Sequence, residues 1–143
     1  MTQIDFYTQV DDKLQTACKL TAKARSLGLR VTLFCPDRDT ASRLDRMLWS
    51  VPATGFMPHC RLEDPLAPVT PVLIDTSGEN PVHDEVLINL HSEWPACFSR
   101  FQRLAEIVSA EDADRSEARA RYKFYRDRGY EIRTHDLSTQ RAG

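Results

Sequence analysis

The segment Arg30-Val-Thr-Leu-Phe-Cys-Pro-Asp37 decides the fold of this chain. From Val31 to Cys35 its residues are apolar or β-branched without the alternation of a one-sided sheet, which predicts a strand buried on both faces. Apolar residues at helical spacing precede it over Lys13–Leu27, which Gly28 ends, and follow it over Arg38–Trp49. Ile4-Asp-Phe-Tyr7 begins the series as a first strand. This β-α-β-α order, with its short connections, predicts a parallel crossover unit.

The rest of the chain continues this pattern after an irregular segment. Four prolines exclude a continuous helix or a central strand from residues 50–70. Beyond them we predict strands at Pro71–Asp75, Glu85–Leu90, Ala105–Val108 and Tyr130–Arg133, and helices at Cys97–Arg103 and Ala113–Arg128. Ser109 and Asp112 have the spacing of a capping box for the last helix. The expected fold is a single three-layer α/β/α domain over residues 1–143 with a mostly parallel sheet and a frayed tail at 138–143.

Composition places the chain among soluble globular proteins. It has 143 residues, of which 41% are hydrophobic and 28% charged, as is usual for one such domain. No apolar run approaches the ~20 residues that a membrane span needs, and no secretory signal pattern opens the chain. We therefore expect a cytoplasmic protein without a membrane partner. The four cysteines and four histidines lack metal-ligand spacing, so no metal site is predicted, and Cys18 and Cys35 read as buried thiols.

The turn after the first strand lacks the parts of a nucleotide site. Thr8-Gln-Val-Asp-Asp-Lys13 contains no glycine, whereas phosphate-binding α/β folds need glycines there so that backbone amides can approach the anion. Neither a nucleotide-binding glycine motif nor a nucleophile elbow occurs elsewhere. The fold class is thus Rossmann-like without a nucleotide-binding loop. We expect no cofactor and no catalytic residue, which favours a binding module over an enzyme with an unrecognised site.

Residues 115–128 form a basic segment in an otherwise acidic chain. They hold six basic and two acidic residues, a charge of +4, while the whole chain carries −2. At 100° per residue, one helix face collects four cations and a tyrosine: Arg115, Arg119, Tyr122, Lys123 and Arg126. The opposite side, with Ala113, Ala120 and Phe124, is a candidate core side; Ala118 and Tyr125 fall between the two faces, so periodicity alone leaves the buried arc open. The cationic face predicts an anionic partner, although an ordinary solvated surface is the simpler alternative.

A second patch lies in Leu48–His59. Its large apolar residues stand in a proline-rich loop: Trp49, Phe56, Met57 and Pro58. Aromatic residues in such loops are typical of interface cores, so we predict a protein-binding surface. The alternative is that Trp49 and Phe56 fold back to cap the sheet.

Together the two patches resemble the chi subunit of bacterial DNA polymerase III holoenzyme. The resemblance covers nearly the whole chain and depends on Arg43-Leu-Asp45, Leu48-Trp49, Pro52-Ala53, Phe56, Pro58-His59, Asp84-Glu-Val-Leu-Ile-Asn-Leu90 and Arg119-Ala-Arg-Tyr-Lys-Phe-Tyr-Arg126. It implies a non-catalytic accessory subunit of the clamp loader. One surface is expected to bind the psi subunit, and another the acidic C-terminal tail of single-stranded DNA-binding protein.

The resemblance also assigns residues to these surfaces. It places Arg119, Tyr122 and Lys123 at the family's tail-binding positions, and Trp49, Phe56 and Pro58 on its psi-binding surface. The same psi surface is implied to accept a helicase-like repair partner, and contact with DNA is expected to be mainly indirect. The competing hypothesis is direct binding of single-stranded nucleic acid by the helix at 113–128. It is the weaker one, because such binders need a long cationic groove and several stacking rings.

Overall fold

A computed structural model describes residues 1–50 and 57–138 of the chain. These residues form seven strands: β1 Gln3–Val10, β2 Val31–Phe34, β3 His59–Arg61, β4 Val72–Asp75, β5 Val86–Asn89, β6 Arg103–Ser109 and β7 Ile132–Asp136. The three α-helices are α1 Lys13–Ser26, α2 Arg38–Trp49 and α3 Asp112–Asp127. The strand order is β3-β4-β2-β5-β6-β1-β7, and every neighbouring pair is parallel. The predicted α/β class and parallel sheet are confirmed.

The core lies on both faces of the sheet. Within β2, Leu33 packs into the cluster that contains Leu14 of α1 and Leu44 of α2, whereas the next residue, Phe34, packs into the cluster that contains Tyr125 of α3. Successive strand residues point to opposite faces, so α1 and α2 cover one face and α3 covers the other. This gives the predicted three layers.

The first two helices begin where the sequence places them. Asp12 Oδ1 accepts a hydrogen bond from the Gln15 N–H (3.1 Å), and Asp37 Oδ1 accepts one from the Thr40 N–H (2.7 Å). Each aspartate satisfies a backbone donor that the first helical turn leaves unpaired. Gly28, with φ +77°, follows the end of α1 as expected for a C-terminal glycine.

The structure differs from the prediction in the proline-rich segment and around residues 97–103. Strand β3 was not predicted; it forms at the sheet edge, where it pairs only with β4 and so tolerates neighbouring prolines. The helix predicted at Cys97–Arg103 is a single 3₁₀ turn, Phe98–Arg100. Burial of Phe98 and Phe101, together with a 2.6 Å hydrogen bond from the Thr2 hydroxyl to the Phe101 carbonyl, holds the chain in a turn. Strand β6 therefore starts two residues earlier than predicted. Strand β7 starts two residues later than predicted.

The predicted capping box at the start of α3 is wrong. Glu111 is the N-cap residue, and its side chain makes no capping hydrogen bond. Instead Asp114, in the first turn, reaches back so that its Oδ2 accepts from the Ser109 N–H at 2.7 Å, and its Oδ1 lies 3.2 Å from Lys13 Nζ. The helix start is thus tied to both β6 and α1.

The predicted buried thiols are confirmed. Burial raises the pKa of Cys18 to about 11 and that of Cys35 to about 12, so neither is a thiolate near neutral pH. Among the described residues no three His, Cys, Asp or Glu side chains are grouped as a metal site would need. None of the described helices is long and apolar enough to span a bilayer.

Candidate functional site

The connections that follow the neighbouring strands β1 and β6 run toward opposite edges of the sheet. After β1 the chain passes through α1 to β2, crossing behind β6 and β5, whereas after β6 it passes through α3 to β7 on the far side of β1. Right-handed crossovers that run in opposite directions lie on opposite faces of a sheet. The carboxyl ends of β1 and β6 therefore form a topological switch point, which is where open α/β sheets bind ligands.

A cavity of about 620 Å³ opens at this switch point. Its lining includes all five residues of the predicted cationic face: Arg115, Arg119, Tyr122, Lys123 and Arg126. The helical spacing thus brings these side chains together as expected. The remaining wall comes from residues that sequence reasoning did not select: Phe6, Thr8, Gln9, Val108, Ser109, Ala118 and Thr134.

The cavity combines an apolar floor with a cationic rim. Phe6 is buried and meets the Tyr122 ring edge-on, with ring centroids 5.4 Å apart. Val108 and Ala118 are buried beside it. Such a floor accepts a ring or an aliphatic group, while the rim attracts negative charge.

Within the described residues, three of the rim cations have weak carboxylate partners. Lys123 Nζ lies 3.5 Å from Asp127, Arg126 Nε lies 3.9 Å from the same carboxylate, and Arg115 lies 3.8 Å from Asp112. These exposed pairs are worth ~1 kcal/mol or less each. An incoming carboxylate can therefore replace them at little cost.

Gln9 lies at the cavity wall with unusual backbone geometry. Its φ is +59°, and the β1–β6 register shifts between Tyr7 and Val10. A positive φ in a residue other than glycine is uncommon and costs backbone energy. The bulge interrupts the β1–β6 pairing at the mouth of the cavity, and pairing resumes at Val10 and Ser109. No signal in the sequence marks it.

A buried polar network fixes α3 over the sheet. Glu106 of β6 is fully buried and accepts from Arg121 Nε at 3.0 Å and from the Tyr125 hydroxyl at 2.6 Å. Asn89 Nδ2 donates to both carboxylate oxygens, at 3.0 and 3.1 Å. Burial raises the pKa of Glu106, and the Arg121 guanidinium with the Tyr125 and Asn89 donors opposes that rise. Since every neighbour donates, the group is arranged as a carboxylate.

This network corrects the predicted core side of α3. Ala113 and Ala120 are exposed, while Phe124 is partly buried against the core and stacks on Trp94. Ala118, Arg121 and Tyr125 are the buried residues of the helix. Arg121, counted above among the basic residues, is neutralised in the core by Glu106. Periodicity could not show this, but a glutamate in the middle of the apolar strand 104–108 indicates that a cation or hydrogen-bond donors are buried with it.

The residues of the second predicted patch do not all lie on the surface. Trp49, at the end of α2, is 57% exposed, and Pro58 is exposed as well. Met57 is 3% exposed and belongs to the core, so its side chain does not lie on this surface. Phe56 lies outside the described residues.

The buried His59 ring packs against the exposed Trp49 ring. The two ring centroids lie 4.7 Å apart, the His59 Nδ1 lies 2.7 Å from the Met57 carbonyl oxygen, and its Nε2 lies 3.1 Å from Asp45 Oδ1. The burial of His59 and Met57 next to an exposed Trp49 gives the surface a rigid base.

Comparison with known proteins agrees with the resemblance. Residues 1–133 match the family model described as DNA polymerase III chi subunit, HolC. The chain is 40% identical over 142 residues to the DNA polymerase III subunit chi of Pseudomonas aeruginosa, covering 96% of this chain and 98% of that one. It is 31% identical over 134 residues to the Escherichia coli protein of the same name, with coverages of 93% and 89%. The chain belongs to the DNA polymerase III chi subunit family, a family of replication accessory subunits.

Proposed function

We propose that this chain is a non-catalytic accessory subunit that joins the clamp loader to single-stranded DNA-binding protein. The basic cavity would take the acidic C-terminal tail of that protein, and the Trp49 surface would take the psi subunit. The observation that carries the proposal is the cavity itself, which places four cations around an apolar floor at the switch point of the sheet. Family membership supports it, and the expected compartment is the cytoplasm.

The cavity suits a peptide that is acidic and ends in an aromatic residue. Arg119, Lys123 and Arg126 can donate to its carboxylates, and charge-assisted hydrogen bonds are about twice as strong as neutral ones. Tyr122 and Phe6 offer an apolar wall to the terminal ring. A peptide with both features would engage rim and floor at once.

The proposed psi surface is centred on Trp49, with Pro58 and Phe56 as further contacts. An exposed tryptophan above buried neighbours is the usual form of an interface hot spot. A helicase-like repair partner is proposed to use this same surface, so the two partners should exclude one another.

The first experiment titrates the protein with a fluorescent Asp-rich peptide that ends in Phe with a free carboxylate. The same peptide amidated at its end, or ending in Ala, should bind more weakly, and affinity should fall as salt rises. An oligonucleotide of matched charge tests the alternative of direct single-strand binding. Equal binding of the free and amidated peptides, or tighter binding of the oligonucleotide, would contradict the proposal.

A further inference from the structure

Trp94 is a second exposed aromatic residue with an unusually fixed position. It lies between β5 and β6, is 41% exposed, and stacks on Phe124 with centroids 3.8 Å apart and ring planes 12° apart. The Arg128 guanidinium lies 3.5 Å from the centre of the same Phe124 ring. Two groups this close must occupy opposite faces of Phe124. The indole is thus one layer of a three-layer stack at the surface.

The loop that carries Trp94 is held by the buried network. Arg121 Nη1 donates to the Ser92 carbonyl at 2.7 Å, and Asn89 Nδ2 donates to the Glu93 carbonyl at 3.0 Å. The conformation is therefore set before any partner arrives, which lowers the entropic cost of binding. A large apolar ring that is fixed and left accessible is typical of an interface anchor.

Two depressions flank this ring, and their surroundings are acidic. Cavities of about 580 and 560 Å³ share Glu93 and Trp94 in their linings. Glu79 lines the first and Glu117 the second, and all three glutamates are exposed. The opposing charges are Arg100 and the partly buried His91 at the first cavity, and Arg128 on the far face of Phe124. Arg121, at the second cavity, is already paired with Glu106.

We propose that this Trp94 surface is a docking site for a basic peptide segment of a partner protein. Lysine or arginine side chains would lie in the two depressions, against the exposed indole and within reach of the three glutamates, combining cation–π and charge attraction. A nucleic acid is disfavoured, because its phosphates would meet these carboxylates. The surface lies on the other side of α3 from the basic cavity, so the inference does not depend on the proposed function.

The chain contains two tryptophans, which makes the test direct by NMR. In ¹⁵N-labelled protein, Trp49→Phe and Trp94→Phe assign the two indole N–H signals. The probe is a ten-residue peptide of alternating lysine and glycine, with the matched glutamate–glycine peptide as its charge control. We expect the lysine peptide to shift the Trp94 signal in a saturable way and to leave the Trp49 signal in place. The glutamate peptide should leave the Trp94 signal unmoved.

Matched variants then test the proposed contacts. Glu93→Gln and Glu117→Gln should each lower the affinity for the lysine peptide about two- to fivefold, as expected for exposed ion pairs. Glu63→Gln, which changes an exposed glutamate elsewhere, should leave this affinity unchanged. Thermal melts confirm that each variant is folded. The proposal is overturned if the Trp94 signal moves no more than the Trp49 signal, if Glu63→Gln weakens binding as much as the other two, or if a thymidine oligonucleotide shifts Trp94 more than the peptide.

Discussion

The two sides of α3 each carry an arginine, one exposed to solvent and one buried against the sheet. Arg119 is exposed at the rim of the basic cavity, whereas Arg121, two residues later, is 1% exposed and pairs with the fully buried Glu106. Two residues turn the helix by about 200°, so one side chain meets solvent and the other meets the sheet. The difference shows that counting charges in a segment does not reveal which of them can bind a partner.

The largest expected effect tests the buried side. Glu106→Ala leaves Arg121 as an unpaired charge in the core, so we expect the free energy of unfolding to fall by about 3–5 kcal/mol. Urea denaturation measures it. Glu117→Ala, an exposed change on α3, should stay within about 0.5 kcal/mol of wild type. Equal midpoints for the two variants would show that the buried network does not stabilise the fold.

A second pair of variants applies the same comparison to the Trp49 patch. Met57→Ala removes a core side chain and should lower the free energy of unfolding by about 2–5 kcal/mol. Trp49→Ala should leave thermal stability nearly unchanged but weaken the binding of a psi-type partner by about 2 kcal/mol or more. Melting curves and calorimetric titration measure the two effects. A collapse in the melting temperature of Trp49→Ala would mean that this ring is a core residue.

Next come the cations of the exposed side. Arg119→Ala or Lys123→Ala removes a donor to a carboxylate. Each change should weaken binding of the acidic, Phe-terminated peptide by about 1.5–3 kcal/mol, or roughly tenfold to a hundredfold in affinity. Fluorescence anisotropy measures the affinity. Arg128→Ala, whose guanidinium lies on Phe124 away from the cavity, is the matched control and should bind like wild type. If all three variants bound alike, the rim would be an ordinary solvated surface.

The smallest effect concerns the start of α3, where Asp114 ties the helix to its neighbours. Partial burial would raise the pKa of Asp114, but the Ser109 N–H and the Lys13 ammonium together hold it below its usual range. A carboxyl whose pKa is lower in the folded state stabilises the protein above about pH 4, and this stability is lost as pH falls through the folded pKa.

Asp114→Asn should therefore reduce the loss of stability below about pH 4, by no more than ~1 kcal/mol since the group is partly exposed. Unfolding free energies measured from pH 7 to pH 2 give this difference. Asp112→Asn, at an exposed position two residues earlier, is the control and should keep the wild-type profile. A wild-type acid profile for Asp114→Asn would show that the two contacts are not formed in solution.

The basic face of α3 was predictable because it depends on local geometry alone. Helical spacing is the same in any context, so the five cavity residues on α3 share a face wherever the helix lies. The burial of Arg121 and Tyr125 was not predictable in this way, since Phe124 and the alanines fit the apolar side of the wheel equally well. Their burial depends on Glu106 and Asn89, which come from two other strands.

By itself the sequence determined the three α-helices, every strand except β3, the glycine that ends α1, the buried strand at Arg30–Cys35 and the cationic face of α3. Each of these depends on backbone preferences and side-chain periodicity over a few neighbouring residues. Only the tertiary structure decided that β3 joins the sheet edge, that Arg121 is neutralised in the core, and that Thr8, Gln9 and Thr134 complete the cavity. These features depend on contacts between residues far apart in the chain, which form only when the crossover connections bring the carboxyl ends of β1, β6 and β7 to one edge of the sheet.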